Sequence, residues 1–164
     1  MTWQGTVAEL YVANAAGEAM QARVEATAIA GRGLAEDRYA DGAGFYSWFA
    51  GPRREVSSIE AEVLEALRRD HNLDLPPGAH RRNIVTRGEP LGHLIGREFR
   101  VGEAVLRGVE ISEPCRHLVE VTGIRRVLSS LIHRGGLHAE VVSGGEIWVG
   151  DAIVPDEWRA VRRC

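Results

Sequence analysis

The chain has 164 residues, 45% of them apolar and 26% charged, with a net charge of −3 at neutral pH. At roughly 150 residues per domain this is one globular domain, 1–164, long enough to bury a real hydrophobic core. Such a composition excludes a disordered chain, a fibrous repeat and a disulfide-stapled miniprotein.

No apolar run approaches the ~18 to 20 residues needed to cross a bilayer. The start, Met1-Thr2-Trp3-Gln4-Gly5, lacks the basic and apolar stretches of a secretory signal. The expectation is a soluble cytoplasmic protein with no membrane partner. All 20 basic residues are arginine, set against 23 acidic ones, so no global basic field invites nucleic acid. Without lysine, only the N-terminus offers an amine, and a covalently bound pyridoxal phosphate is excluded. Anion recognition falls to guanidinium forks, backbone amides and helix N-termini.

In chain order, alternating apolar runs predict strands over 6–13, 19–29, 54–57, 84–86, 98–101, 104–111, 138–143, 147–149 and 152–154. The loop Gly42-Ala43-Gly44-Phe45-Tyr46-Ser47-Trp48-Phe49 combines glycines with aromatics and reads as a lid or as rings packed on a rim. Ser57-Ser58-Ile59-Glu60 matches a capping box with Ser57 as N-cap. Ile59, Val63 and Leu67 then recur every four residues, and Asn72 closes that helix. A second helical region runs from Arg116 to about Leu131, interrupted at Gly123. Gly144-Gly145 reads as a tight hairpin. Many short strands and few helices predict a mainly β fold, a closed or partly open β-barrel with a few peripheral helices.

Two cysteines cannot build a disulfide framework or a four-cysteine zinc site. Cys164 ends the chain, whereas Pro114-Cys115 follows a predicted strand and opens a predicted helix. A thiol there, beside Arg116 and His117, is favoured as a thiolate that binds a soft metal or attacks an electrophile. A buried, inert cysteine is the equal alternative. Arg81-Arg82-Asn83, at a loop-to-strand junction, suits an anionic group or is a solvated turn, and Arg53-Arg54 carries the same ambiguity. His133-Arg134-Gly135-Gly136 offers two polar side chains and a backbone that a ligand can approach closely. No His-Glu-x-x-His, GxSxG, P-loop or strand-linked GxGxxG occurs.

Together these segments resemble the MOSC domain, named for the C-terminal domain of molybdenum cofactor sulfurase. The resemblance runs from about Gly33 to Val154. It rests on Gly33-Leu34 with Asp37-Arg38-Tyr39, Arg54 to Glu60, and Leu75-Pro76-Pro77-Gly78 through Arg82-Asn83-Ile84. Further on it takes in Phe99 to Gly102, Pro114-Cys115, His133 to Leu137, and Gly144-Gly145 with Gly150-Asp151. It implies a pyruvate-kinase-type β-barrel and a pocket for molybdenum cofactor (molybdopterin), with Cys115 as thiolate ligand of the metal. By the same resemblance the segment Arg81 to Asn83 holds the pterin's anionic end. Arg53, Arg54, Arg134, Gly135 and Gly136 complete the expected cofactor set, and His133 or His117 delivers protons.

The first functional expectation is reduction of an N-hydroxylated small-molecule substrate, with electrons from a separate electron-transfer protein. The second is a sulfur carrier that holds a persulfide on Cys115, loaded by a separate cysteine desulfurase. A non-catalytic anion-binding barrel is the third.

Overall fold

The computed structural model describes residues 3–47 and 54–156, so the expectations for Arg53 and Cys164 lie outside the described residues. The described strands are β1 Gly5–Val12, β2 Gln21–Arg23, β3 Glu25–Ile29, β4 Gly33–Leu34, β5 Val56–Glu60, β6 Ile84–Arg87, β7 Glu98–Val101, β8 Ala104–Ile111, β9 Leu137–Ser143, β10 Gly145–Trp148 and β11 Ala152–Pro155. Three helices join them: α1 Ala61–His71, α2 Arg116–Thr122 and α3 Val127–Leu131. No helix among the described residues is long and apolar enough to cross a membrane.

The strands run β11-β7-β8-β9-β5-β6-β1, and a further β1–β11 pairing closes the barrel. All its ladders are antiparallel except β5–β6, whose strands are joined through α1 as one βαβ unit. A three-stranded sheet, β10-β3-β4, packs alongside.

Alternation along the strands sorts their side chains between two cores. Leu10, Val56, Ile84, Leu106, Leu137 and Ile153 belong to one buried cluster, with Phe99 and Val101. Tyr11, Ile59 and Val85 belong to a second, with Val63 and Leu67 of α1, Leu118 of α2, and Val127 and Leu131 of α3. Each fully buried Leu or Ile contributes about 1.5–3 kcal/mol. The helices therefore cover one flank of the barrel rather than ringing it.

Two local expectations are corrected. Ser57 and Ser58 lie in β5, and α1 begins at Ala61 with Glu60 as a cap that makes no side-chain bond. The capping box fails because tertiary partners claim its hydroxyls. Ser57 Oγ donates to Asn83 Oδ1 at 3.3 Å, and Ser58 Oγ donates to the Leu137 carbonyl at 3.3 Å. Gly144-Gly145 is not a hairpin, since β9 stays in the barrel while β10 pairs with β3. At Gly144 a Cβ would lie 2.7 Å from the Ala28 carbonyl, so a small residue is needed where the chain changes sheets. The predicted strand over 19–29 is divided at Val24 for a similar reason, with β2 on the barrel and β3 on the smaller sheet.

Candidate functional site

Several segments converge on one cavity of about 380 Å³, three of them carrying the sequence-predicted residues. The first is the link from β8 to α2. Ser112, Glu113 and Pro114 leave the strand, and Cys115 sits in extended backbone (φ −132°) as the N-cap of α2. Its carbonyl accepts the Leu118 amide at 3.1 Å, while its half-buried thiol lines the cavity.

The second segment enters β6 through a turn at Gly78. Arg81 sits there in left-handed backbone, φ 65°, an uncommon conformation for a side chain of this size. One of its terminal nitrogens donates to the Glu18 carbonyl, but Nε and Nη2 are buried with no partner. Arg82 is buried too; its Nε donates to the Gly135 carbonyl at 2.9 Å and Nη2 to the Ser112 carbonyl at 3.4 Å. Burial drives both guanidinium pKa values down to about 10, still above neutrality, so both remain cations.

The third segment precedes β5. Arg54 lies over the Tyr46 ring at 4.6 Å and donates from Nη1 to His138 Nε2 at 3.3 Å. A guanidinium can only donate, so His138 is neutral with its proton on Nδ1. Burial first, then Arg82 and Arg54, push the His138 pKa down to about 3. Its Nδ1 and the Nε of Arg54 are buried without partners.

Arg38 completes the cationic wall. Asp37, fully buried, fixes it by accepting Arg38 Nη1 and the Ala13 amide, each at 3.1 Å. Arg38, Arg54, Arg81 and Arg82 thus line a cavity with Cys115, and only Arg38 is paired with a carboxylate. Two carboxylates, Glu110 and Glu113, also line it. Glu113 is drawn outward, accepting the His133 amide at 3.0 Å and holding that residue in left-handed backbone.

The predicted residues therefore divide. Cys115, His117, Arg54, Arg81 and Arg82 share the cavity wall. His133 and Arg134 do not line it: the His133 side chain is 87% exposed, and Arg134 donates to the Ser130 carbonyl at 2.7 Å and turns toward His71. Asn83 serves the frame, accepting the Ser57 amide at 3.1 Å and donating to the Tyr11 carbonyl at 3.1 Å. Gly135 and Gly136 let two backbones touch, since a Cβ would lie 2.1 Å from the Ser112 carbonyl or 1.8 Å from that of Ser58. Arg38, Tyr46 and His138 are cavity residues that motif spacing did not single out as site residues. Arg38 lies in the Asp37-Arg38-Tyr39 segment and Tyr46 in the glycine-aromatic loop read as a lid or rim, whereas no motif pointed to His138.

The neutral His138 predicts a pH dependence. Its folded pKa lies below the ordinary value of 6.5, so the unfolded chain binds the proton more readily. Stability is full above 6.5 and falls as pH drops toward about 3, by up to about 1.4 kcal/mol per pH unit. His80, also pushed to about 3, adds a second such contribution. His138→Gln is expected to remove one of the two, flattening the fall in urea midpoint over this range. An unchanged slope would show that His138 does not stay neutral in the fold.

Among the described residues, the architecture defines a small closed β-barrel with one cysteine-bearing cavity, walled by arginine. The MOSC domain model matches residues 46–154, well over half of the chain, and the chain belongs to that family, which is associated with the molybdenum cofactor and with sulfur chemistry. No curated protein sequence matches it. Its fold is similar to that of the YuaD protein from Bacillus subtilis, with a TM-score of 0.77 at 17% identity over 94% of this chain and 96% of that one. YiiM from Geobacillus stearothermophilus gives 0.69 at 12% identity, over 92% of this chain and 74% of that one. YiiM from Escherichia coli gives 0.61 at 19%, over 93% and 68%. At such identities the likeness is one of fold.

Proposed function

We propose that the chain binds molybdenum cofactor in this cavity, with Cys115 as the metal's thiolate ligand, and reduces an N-hydroxylated small molecule there. One observation carries the reading: a half-buried thiol shares one cavity with four guanidinium groups, three of which are paired with no carboxylate among the described residues. Cations left without a carboxylate partner in a partly buried cavity suit an anionic ligand.

The donor set narrows that anion. Among the described residues no group of three or more His, Cys, Asp or Glu side chains could hold a metal ion. Guanidinium groups bind phosphate and other anions in bidentate fashion but do not ligate metals. A metal here fits if it arrives with most of its own soft ligands on an anionic scaffold, as in a phosphate-bearing pterin dithiolene. When bound, that cofactor supplies the electron pair and the soft centre at which an N–O bond is cleaved.

The chain's own residues do the rest. Arg54, Arg81 and Arg82 hold the anionic groups, and Cys115 fixes the orientation of the soft end. His138, locked neutral, accepts from Arg54 and holds that guanidinium against the Tyr46 ring. His117, partly exposed at the cavity edge, is the group able to carry protons, its pKa lowered by burial and then by Arg81. Electrons reach the site from a separate electron-transfer protein.

A sulfur-carrier reading is supported by the same wall, because guanidinium groups facing Cys115 steady a persulfide anion without a metal. Elemental and pterin analysis of protein purified from a cofactor-producing host separates the two. Near-stoichiometric molybdenum and pterin are expected. Protein free of both, whose Cys115 instead gains one sulfur atom from a cysteine desulfurase, would overturn the reductase reading in favour of the carrier.

A further inference from the structure

Helix α3 packs inward through Val127, Ser130 and Leu131, all buried, and leaves Leu128 and Ile132 outward, 39% and 57% exposed and one turn apart. Unmatched cations gather around that apolar ridge. Arg125, just before it, is exposed. Arg126 donates from Nη1 to the His71 carbonyl at 2.8 Å, at the end of α1. Arg134 donates from Nε to the Ser130 carbonyl at 2.7 Å and from Nη2 to His71 Nε2 at 3.2 Å. None of the three lies within ion-pair distance of a carboxylate among the described residues. On the adjoining helices Asp70 already holds Arg69 at 2.7 Å, and Glu120 holds Arg116 at 3.3 Å. Exposed arginines farther off are matched as well, Arg23 by Glu36 and Arg68 by Asp74. The end of α3 is tied to the cavity, where Glu113 accepts the His133 amide at 3.0 Å, and α2 with His117 packs against it.

We propose that the outward face of α3 is the docking surface for an acidic electron-transfer protein, whose carboxylates meet Arg125, Arg126 and Arg134 around an apolar contact on Leu128 and Ile132. The inference rests on the reductase reading, which requires such a protein beside the cavity. Arginine around an apolar centre is the composition of a recognition surface, and carboxylates are its complement. Charge and size select against other occupants. A second copy docked face to face would set arginine against arginine. Membrane attachment scales with buried apolar area, and two side chains on a five-residue helix offer little of it. A net charge of −3 disfavours nucleic acid. A small contact also suits a carrier that must leave after each delivery, since redox encounters bury less than about 1,200 Å² in total.

The test is calorimetric titration of the full chain with two acidic carriers, a plant-type ferredoxin and a flavodoxin, and with a basic cytochrome c. At least one acidic carrier is expected to bind in the micromolar range at low ionic strength. Binding should weaken several-fold at physiological salt, where charges are screened beyond about 8 Å. Among the described residues Arg125 gives the fold only its carbonyl, to the Leu128 amide, so Arg125→Glu should fold normally. It is expected to weaken binding at least about tenfold by setting like charges together. Leu128→Ser, at an exposed position, is expected to cost several-fold and to leave the salt dependence intact. Binding by neither acidic carrier, equal binding of cytochrome c, or an unchanged Kd in both variants overturns the inference. So does sedimentation of the chain with phosphatidylserine vesicles when neither carrier binds. Charge-dependent docking to a chain that takes up no molybdenum leaves the surface standing and overturns the reductase reading instead.

Discussion

Cys115→Ala is expected to strip the protein of molybdenum and of reductase activity while leaving the barrel intact. The sulfur is only partly buried, at the edge of the second core cluster, and the residue contributes its backbone carbonyl to α2 whatever its side chain. Its replacement should therefore cost about 1 kcal/mol or less of stability. The effect on the metal is far larger. Loss of even an outer-sphere partner weakens metal binding about 10–100-fold, and loss of the sole protein thiolate should exceed that. Because most of the metal's ligands come with the pterin, the two are expected to be lost together. Elemental analysis, pterin fluorescence and a thermal melt of the same preparation check all of this together. A variant that keeps its molybdenum would show that Cys115 is not the ligand.

The largest effect on the fold is expected for Gly136→Ala. Its φ is 110°, a conformation that L side chains rarely adopt, and a Cβ would lie 1.8 Å from the Ser58 carbonyl. Neither side can retreat. Ser58 pairs with Ile84 of β6 and with Leu137 of β9, and the Gly136 carbonyl accepts the Ser112 amide at 2.8 Å. Relief therefore requires opening the barrel seam beside the cavity, at a cost of at least about 3–4 kcal/mol. Gly96→Ala is the control: φ is 75° there too, but nothing lies within 4 Å, so only about 1–2 kcal/mol is lost. Urea denaturation of the two variants should separate strain from collision. Equal losses would mean that the seam is softer than its ladder implies.

How much of this was legible in the sequence follows from where each signal is stored. Strands β7 and β8 fall on the predicted limits because the apolar residues that mark them lie within each segment, on either side of the turn at Gly102-Glu103. Gly123 ends α2 in left-handed backbone, as a glycine after a helical run predicts. The capping box misled because Ser57 and Ser58 answer to Asn83 and Leu137, partners that no local pattern reveals. The same limit applies to the site. Cys115, Arg54, Arg81, Arg82 and His117 were visible through neighbours within a few residues. Tyr46 comes from the loop before β5 and His138 from β9, and only barrel closure brings them to one cavity. Asn83, Gly135 and Gly136 look like ligand contacts in sequence, yet their polar groups and missing side chains are consumed by the frame.

The left-handed Arg81 would also tie ligand binding, as proposed above, to the lifetime of the protein. Its backbone is held in a costly conformation, and two of its nitrogens are sealed away without acceptors. An anion that bound in the cavity beside Arg81 would stabilise the native state by mass action, in proportion to the logarithm of its concentration over Kd. If the proposed ligand binds, unliganded protein would then be the form more open to proteolysis, and a cell short of the ligand would clear it first.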